Sequence, residues 1–181
     1  MNRYSNIVLV GFMGTGKTAV GMALASELNL RFLDMDSVIV QREKKPIPQI
    51  FAENGEPYFR ALERNLVGEL AEQSGLVVAT GGGIVLNPGN IADFARTGLV
   101  VCLSATPGAI LKRVEHDTNR PLLAGGDKMK KITDLLNTRR HLYDAIPCQV
   151  DTTNLTVKEI TGRISALWRG NTFAGATQFQ A

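Results

Sequence analysis

Gly11-Phe12-Met13-Gly14-Thr15-Gly16-Lys17-Thr18 is the stretch from which the rest of the chain can be read. It fits the pattern G-x-x-x-x-G-K-[ST] at every fixed position. The apolar run 7–10 precedes it and the helix-period stretch 17–28 follows it, which is the strand–loop–helix setting the pattern needs. Glycines at these places let backbone N–H groups turn inward around phosphate oxygens, at the positive end of the helix that follows. Lys17 is then placed to reach the β- and γ-phosphates, and Thr18 to offer its hydroxyl to Mg²⁺. A plain Gly-rich turn with an exposed lysine would leave the agreement of all fixed positions unexplained. The stretch predicts a nucleoside triphosphate site, and the lack of an Asn-Lys-x-Asp guanine-reading motif disfavours GTP.

Outward from this loop the chain alternates between two kinds of segment. Short apolar runs at 7–10, 31–34, 76–79, 99–103 and 149–151 read as strands covered on both faces, being continuously apolar rather than alternating. Between them, 17–28, 57–74, 88–97, 107–116, 128–143 and 156–168 carry helical periodicity. Pro57, Pro88 and Pro107 stand where helices start, and Gly75, Gly98 and Gly170 where they stop. This alternation predicts an α/β fold with a five-stranded parallel sheet between helices. A single domain over 1–170 is expected, with a mobile lid at about 118–127 and a frayed, uncharged tail at 171–181.

Composition agrees and removes several function classes. With 181 residues, 44% apolar and 20% charged, the chain is an ordinary globular domain that needs no disulfide or metal staple. Its 20 basic and 17 acidic residues leave a net charge of +3, too mild to separate small anions from nucleic acid as partners. Cys102 and Cys148 have no second pair, so they read as free thiols in a reducing compartment. The N-terminus mimics a secretory signal only loosely, because Lys17 interrupts the apolar region. The uncharged stretch 73–92 approaches membrane-spanning length, but Gly81-Gly82-Gly83, Asn87, Pro88 and Asn90 break it. A cytoplasmic protein with no membrane association is expected.

Carboxylates and arginines add a second layer. Asp34 and Asp36 end the second strand candidate, and extended spacing puts both on one face at the carboxyl edge of the sheet. One could serve the Mg²⁺ shell and the other an acceptor hydroxyl; alternatively, Asp36 caps a helix beginning at Ser37. In 57–74 the apolar stripe Phe59, Leu62, Leu66, Val67 and Leu70 encloses Glu63, with Arg60 at its edge as a possible partner. In 128–143, Ile132, Leu136 and Tyr143 face inward with Arg139 among them, while Arg140 lies to the side. An inward arginine serves either a bound anion or a structural ion pair. Three glycines ending a strand at Gly81-Gly82-Gly83 admit close approach of a ligand to backbone. Asn119-Arg120-Pro121-Leu122-Leu123-Ala124-Gly125-Gly126 has the composition of a hinged lid bearing an arginine, or of an ordinary surface loop.

Together these segments resemble the shikimate kinase family from Asn6 to about Trp168. The resemblance rests on the phosphate loop, Phe32-Leu33-Asp34-Met35-Asp36, Gly55-Glu56-x-x-Phe59-Arg60-x-x-Glu63, Thr80-Gly81-Gly82-Gly83, Asn119-Arg120-Pro121-Leu122-Leu123 and Arg139-x-x-x-Tyr143. It implies a P-loop kinase of the nucleoside-monophosphate-kinase-like fold that phosphorylates the 3-hydroxyl of shikimate with ATP and Mg²⁺, in the route to aromatic amino acids. It further implies nucleotide contacts from Gly14, Thr15, Gly16, Lys17, Thr18, Ala19, Arg113 and Arg120. The acceptor would be held by Asp36, Arg60, Gly81, Gly82, Gly83 and Arg139, with Glu63 supporting Arg60. Thr18 and Asp34 would be the Mg²⁺ positions, and Lys17, Asp36 and Arg120 the catalytic groups. A monomer acting on a small molecule follows from the same likeness.

Other readings explain less. A gluconate kinase shares the loop and the length but is not expected to combine Phe59-Arg60-x-x-Glu63, Thr80–Gly83 and Arg139. A regulatory ATP-binding protein would have no need of Lys17, Asp36, Arg60, Arg120 and Arg139 together. Nucleic-acid binding is weaker still, since the basic clusters Arg42-Glu43-Lys44-Lys45 and Lys128-x-Lys130-Lys131 are short and suit solvated helix faces.

Overall fold

The first strand, β1 (Asn6–Gly11), is buried along its whole length. Ile7 and Leu9 join the apolar cluster on one side of the sheet, and Val8 and Val10 the cluster on the other. A strand covered on both faces has no position for a polar alternation, which is why it reads as an unbroken apolar run. The computed structural model describes residues 4–115 and 126–170. Within them, β2 (Arg31–Asp34), β3 (Leu76–Ala79), β4 (Gly98–Ser104) and β5 (Cys148–Asp151) complete a sheet of order β2-β3-β1-β4-β5. Every neighbouring pair is parallel, with Val8 opposite Val78 on one side and Val100 on the other. The expected five-stranded parallel sheet is therefore present, and its central strand carries the phosphate loop.

Helices α1 (Lys17–Leu28) and α7 (Val157–Gly170) cover one face, where Val20, Leu24, Ile160 and Ile164 pack on Ile7, Leu9, Val77 and Val101. Full burial of a Leu or Ile side chain is worth roughly 1.5–3 kcal/mol, so this layer is a main source of stability. Thr156 and Glu159 close the start of α7 reciprocally: the Glu159 N–H donates to Thr156 Oγ1 at 3.3 Å and the Thr156 N–H to Glu159 Oε2 at 2.8 Å. The other face is covered by α3 (Ile47–Ala71), α4 (Pro88–Thr97), α5 (Pro107–Val114) and α6 (Lys128–Asp144), whose Ile50, Phe59, Leu66, Phe94, Ile110 and Ile132 share one core.

Two local expectations need correcting. Residues 35–36 are not extended: α2 (Met35–Glu43) begins directly after β2, so Asp36 lies in a helical first turn. Its cap is Asp34 rather than Asp36, with Asp34 Oδ1 accepting from the Ser37 N–H at 3.1 Å. The helix expected to start at Pro57 is the second half of α3. Gly55, at φ 81° and ψ 169°, breaks the helical geometry, and Pro57 opens a fresh segment after it. The turns before Gly55 start behind Pro46 with Pro48 in the first turn, a helix-start signal that the stronger pattern after Pro57 overshadows.

Candidate active site

At the carboxyl end of β1 the chain turns through Gly14 (φ 75°) and Gly16 (φ 97°), left-handed conformations that a side chain would strain. Thr15 Oγ1 donates to the Phe12 carbonyl at 2.8 Å and pins the loop. Gly16 is the N-cap residue of α1 and offers no side-chain cap, which leaves the first-turn N–H groups to an anion. Lys17 is buried, and its ammonium donates to the carbonyls of Gly11 at 2.7 Å and Phe12 at 2.9 Å. Thr18 Oγ1 donates to Asp34 Oδ2 at 2.9 Å, joining the start of α1 to the end of β2. Ala19 follows, exposed, in the same first turn.

The next strand over supplies the other half of the site. Thr80 continues β3 by donating twice to the Leu9 carbonyl, through its N–H at 3.1 Å and its hydroxyl at 3.0 Å. The triglycine segment that follows has a separate neighbour for each residue. A methyl group on Gly81 would fall 2.6 Å from Glu63 Oε1 and 2.9 Å from Asp36 Oδ1. One on Gly82 would fall 3.4 Å from the Met13 nitrogen, against the phosphate loop. One on Gly83 would overlap the Arg60 guanidinium.

Arg60 and Glu63 form the polar core of α3. The Arg60 guanidinium donates to Glu63 Oε2 at 2.6 Å and to Glu56 Oε1 at 2.7 Å, and it lies 5.5 Å from the centre of the Phe59 ring. Glu63 is only 1% exposed, and its Oε1 accepts no hydrogen bond from the described residues. Burial pushes the Glu63 carboxyl above the usual range, Arg60 pulls against it, and the nearby Asp36 and Glu56 add to the upward push. On α6, Arg139 is buried and pairs with no carboxylate among the described residues, whereas Arg140 is exposed and stands 3.9 Å from Asp144. Tyr143, one turn after Arg139, donates its hydroxyl proton to the Gly82 carbonyl at 2.6 Å, and Arg139 stands close enough to act on the phenol as a neighbouring positive charge.

The family model described as "Shikimate kinase" matches residues 13–167. The chain belongs to the shikimate kinase family. A shikimate kinase of Pelotomaculum thermopropionicum is 44% identical over 159 residues, covering 88% of this chain and 92% of that one. One of Desulforudis audaxviator is 46% identical over 88% of this chain and 84% of that one. The solved shikimate kinase of Acinetobacter baumannii in complex with shikimate superposes with a TM-score of 0.90 at 36% identity, covering 96% of this chain and 97% of that one. A Sinorhizobium meliloti gluconokinase, at 16% identity and a TM-score of 0.58, shares the fold alone. Family membership makes the chain an ATP-dependent kinase that phosphorylates a hydroxyl group.

Several residues of this shikimate kinase are placed by partners that no local pattern announces. The Arg113 guanidinium donates to the Gly14 carbonyl at 3.2 Å, to Thr152 Oγ1 at 3.0 Å and to the Thr152 carbonyl at 2.7 Å. Thr152, fully buried just past β5, also donates to the Thr15 carbonyl at 3.1 Å. Arg113 and Thr152 thus brace the phosphate loop from the side of β5, a role that sequence reading did not assign to Thr152. Tyr143 and Thr80 are further omissions. A buried tyrosine calls for a hydroxyl partner, but nothing in the sequence says which. Arg120 and residues 118–125 of the expected lid lie outside the described residues, as does the tail 171–181.

Proposed function

We propose that this kinase moves the γ-phosphoryl group of ATP to the 3-hydroxyl of shikimate, using the two loops described above as donor and acceptor sites. The observation that carries this reading is the crowding of Asp36, Arg60 and the Arg139–Tyr143 pair around Gly81, Gly82 and Gly83, with Gly82 against the phosphate loop. An acceptor with one carboxylate and several hydroxyls suits that set. Arg60 and Arg139 supply two guanidinium forks for the carboxylate. Asp36 accepts a hydrogen bond from the attacking hydroxyl and orients its oxygen toward the phosphate loop. Lys17, Arg120 and the first-turn N–H groups of α1 neutralise the transferring phosphoryl, whose reaction is mostly positioning and charge stabilisation.

Thr18 Oγ1 and Asp34 Oδ2, 2.9 Å apart, are hard oxygen donors beside the phosphate loop and suit Mg²⁺. The bound ion supplies neutralisation of the β- and γ-phosphate oxygens. Gly14, Thr15, Gly16 and Ala19 complete the nucleotide contacts. Arg113 flanks the base from its seat on Gly14 and Thr152. We place the enzyme in the cytoplasm as a monomer acting on a small molecule, without nucleic acid or membrane. Among the described residues no helix is long and apolar enough to cross a membrane.

The test is ADP release by the purified protein with Mg²⁺-ATP, comparing shikimate, gluconate, nucleoside monophosphates and no acceptor. Turnover with shikimate alone is expected. Preference for another acceptor would overturn the roles of Arg60 and Arg139, and turnover with none would overturn the catalytic reading.

A further inference from the structure

Arg139 and Tyr143 sit one turn apart on α6, so their side chains share a face. The Tyr143 hydroxyl has one proton to give and lone pairs to receive with. The proton goes to the Gly82 carbonyl at 2.6 Å, and the Arg139 charge, one turn back, stands close enough to act on the phenol. The Gly82 carbonyl shares a planar peptide with the Gly83 N–H, which points the opposite way, so fixing one fixes the other. One oxygen atom therefore ties α6, at the turn that follows Arg139, to a peptide of the acceptor loop that follows β3.

Packing alone does not hold this ring. Tyr143 is buried, but it forms part of the wall of a cavity of about 510 Å³ that also meets Phe12, Cys102, Leu136 and Gln149. A ring with open space beside it keeps its place through its polar end. Burial pushes the phenol up to about 12, so the donating proton is retained at assay pH.

We propose that the Tyr143 hydroxyl is a positioning group for acceptor binding, holding the Gly82–Gly83 peptide in register with α6 and so with Arg139 one turn back. The proposal rests on the reading that Arg139 and the triglycine loop meet the acceptor. Loss of the hydroxyl leaves nucleotide contacts intact and loosens only the acceptor side.

The experiment is Tyr143→Phe, a change that removes one oxygen and keeps the ring. Acceptor KM and the calorimetric Kd for shikimate are expected to rise about tenfold, the weight of roughly one hydrogen bond. At the same time kcat and the KM for ATP should stay within about twofold, which a general loosening of the fold would not spare. In an Arg139→Ala background, Tyr143→Phe should add little further loss of shikimate affinity, because the pair acts as a unit. Unchanged acceptor KM in the single variant, or parallel decline of both substrates' KM values, would overturn the proposal. So would full additivity with Arg139→Ala. Absence of shikimate binding by the unaltered enzyme would be a different failure: it would remove the acceptor reading itself, and with it this proposal.

Discussion

The Arg60 guanidinium occupies the volume where a β-carbon of residue 83 would stand, so the absence of a side chain at Gly83 is what lets Arg60 lie against the acceptor loop. The same guanidinium holds Glu63 at 2.6 Å on its other side. Gly83→Ala is expected to displace Arg60, raising acceptor KM about tenfold or more while the KM for ATP moves less than about twofold. Steady-state kinetics with each substrate varied in turn decides this. An equal effect on both substrates would mean the methyl group disturbs the phosphate loop instead.

Glu63 gives a pH signature. Its folded carboxyl is held above the ordinary glutamate value of 4.5, chiefly by burial, so the folded state keeps a proton that the unfolded state has already released. Between those two pKa values the unfolded chain binds fewer protons, and stability falls as pH rises. The stability of the wild type relative to Glu63→Gln should be greatest below pH 4.5 and decline as pH climbs through the folded pKa of Glu63. Paired urea titrations across pH 4–8, read as a difference, check the sign. A difference that grows with pH would show that the pairing with Arg60 outweighs burial.

Arg139→Lys keeps a charge but loses the planar fork. Shikimate affinity should drop by roughly tenfold to a hundredfold with little change in ATP affinity. Calorimetry with each ligand separately is the measurement. Matching losses for both ligands would count against a carboxylate-gripping role.

Lys17→Met tests the donor loop. The ammonium donates to the Gly11 and Phe12 carbonyls, so its removal should cost a few degrees of Tm without unfolding the domain. Phosphoryl transfer should fall by at least about a hundredfold, as for loss of a preorganised electrostatic donor. Quenched-flow or coupled assays at saturating substrates suffice, and near-normal kcat would sink the role given to this lysine.

How much of this was legible in the sequence follows from how local each cause is. The phosphate loop is fixed by contiguous residues, and it could be read in full. The choice of Arg139 over Arg140 is a matter of helix phase, and the burial of one and exposure of the other follow it. The expectation that Asp34 and Asp36 share one extended face fails because the strand gives way to α2 between them. A helix cap settled by a single hydrogen bond from Ser37 leaves little periodic trace. The Tyr143 hydroxyl and Thr152 were out of reach for another reason. Their partners lie 61 and 137 residues away, and no spacing rule links such positions.

The parallel ladder between β1 and β3 has one more consequence. The donor loop leaves the end of one strand and the acceptor loop the end of its immediate neighbour, and neighbouring strands stand about 4.8 Å apart whatever side chains they bear. The spacing of the two loops where they leave the sheet is thus inherited from main-chain hydrogen bonding, a ruler that side-chain substitutions leave unchanged. Changes in α2, α3 and α6 can alter which alcohol is presented at the far end of that ruler while leaving the span itself untouched.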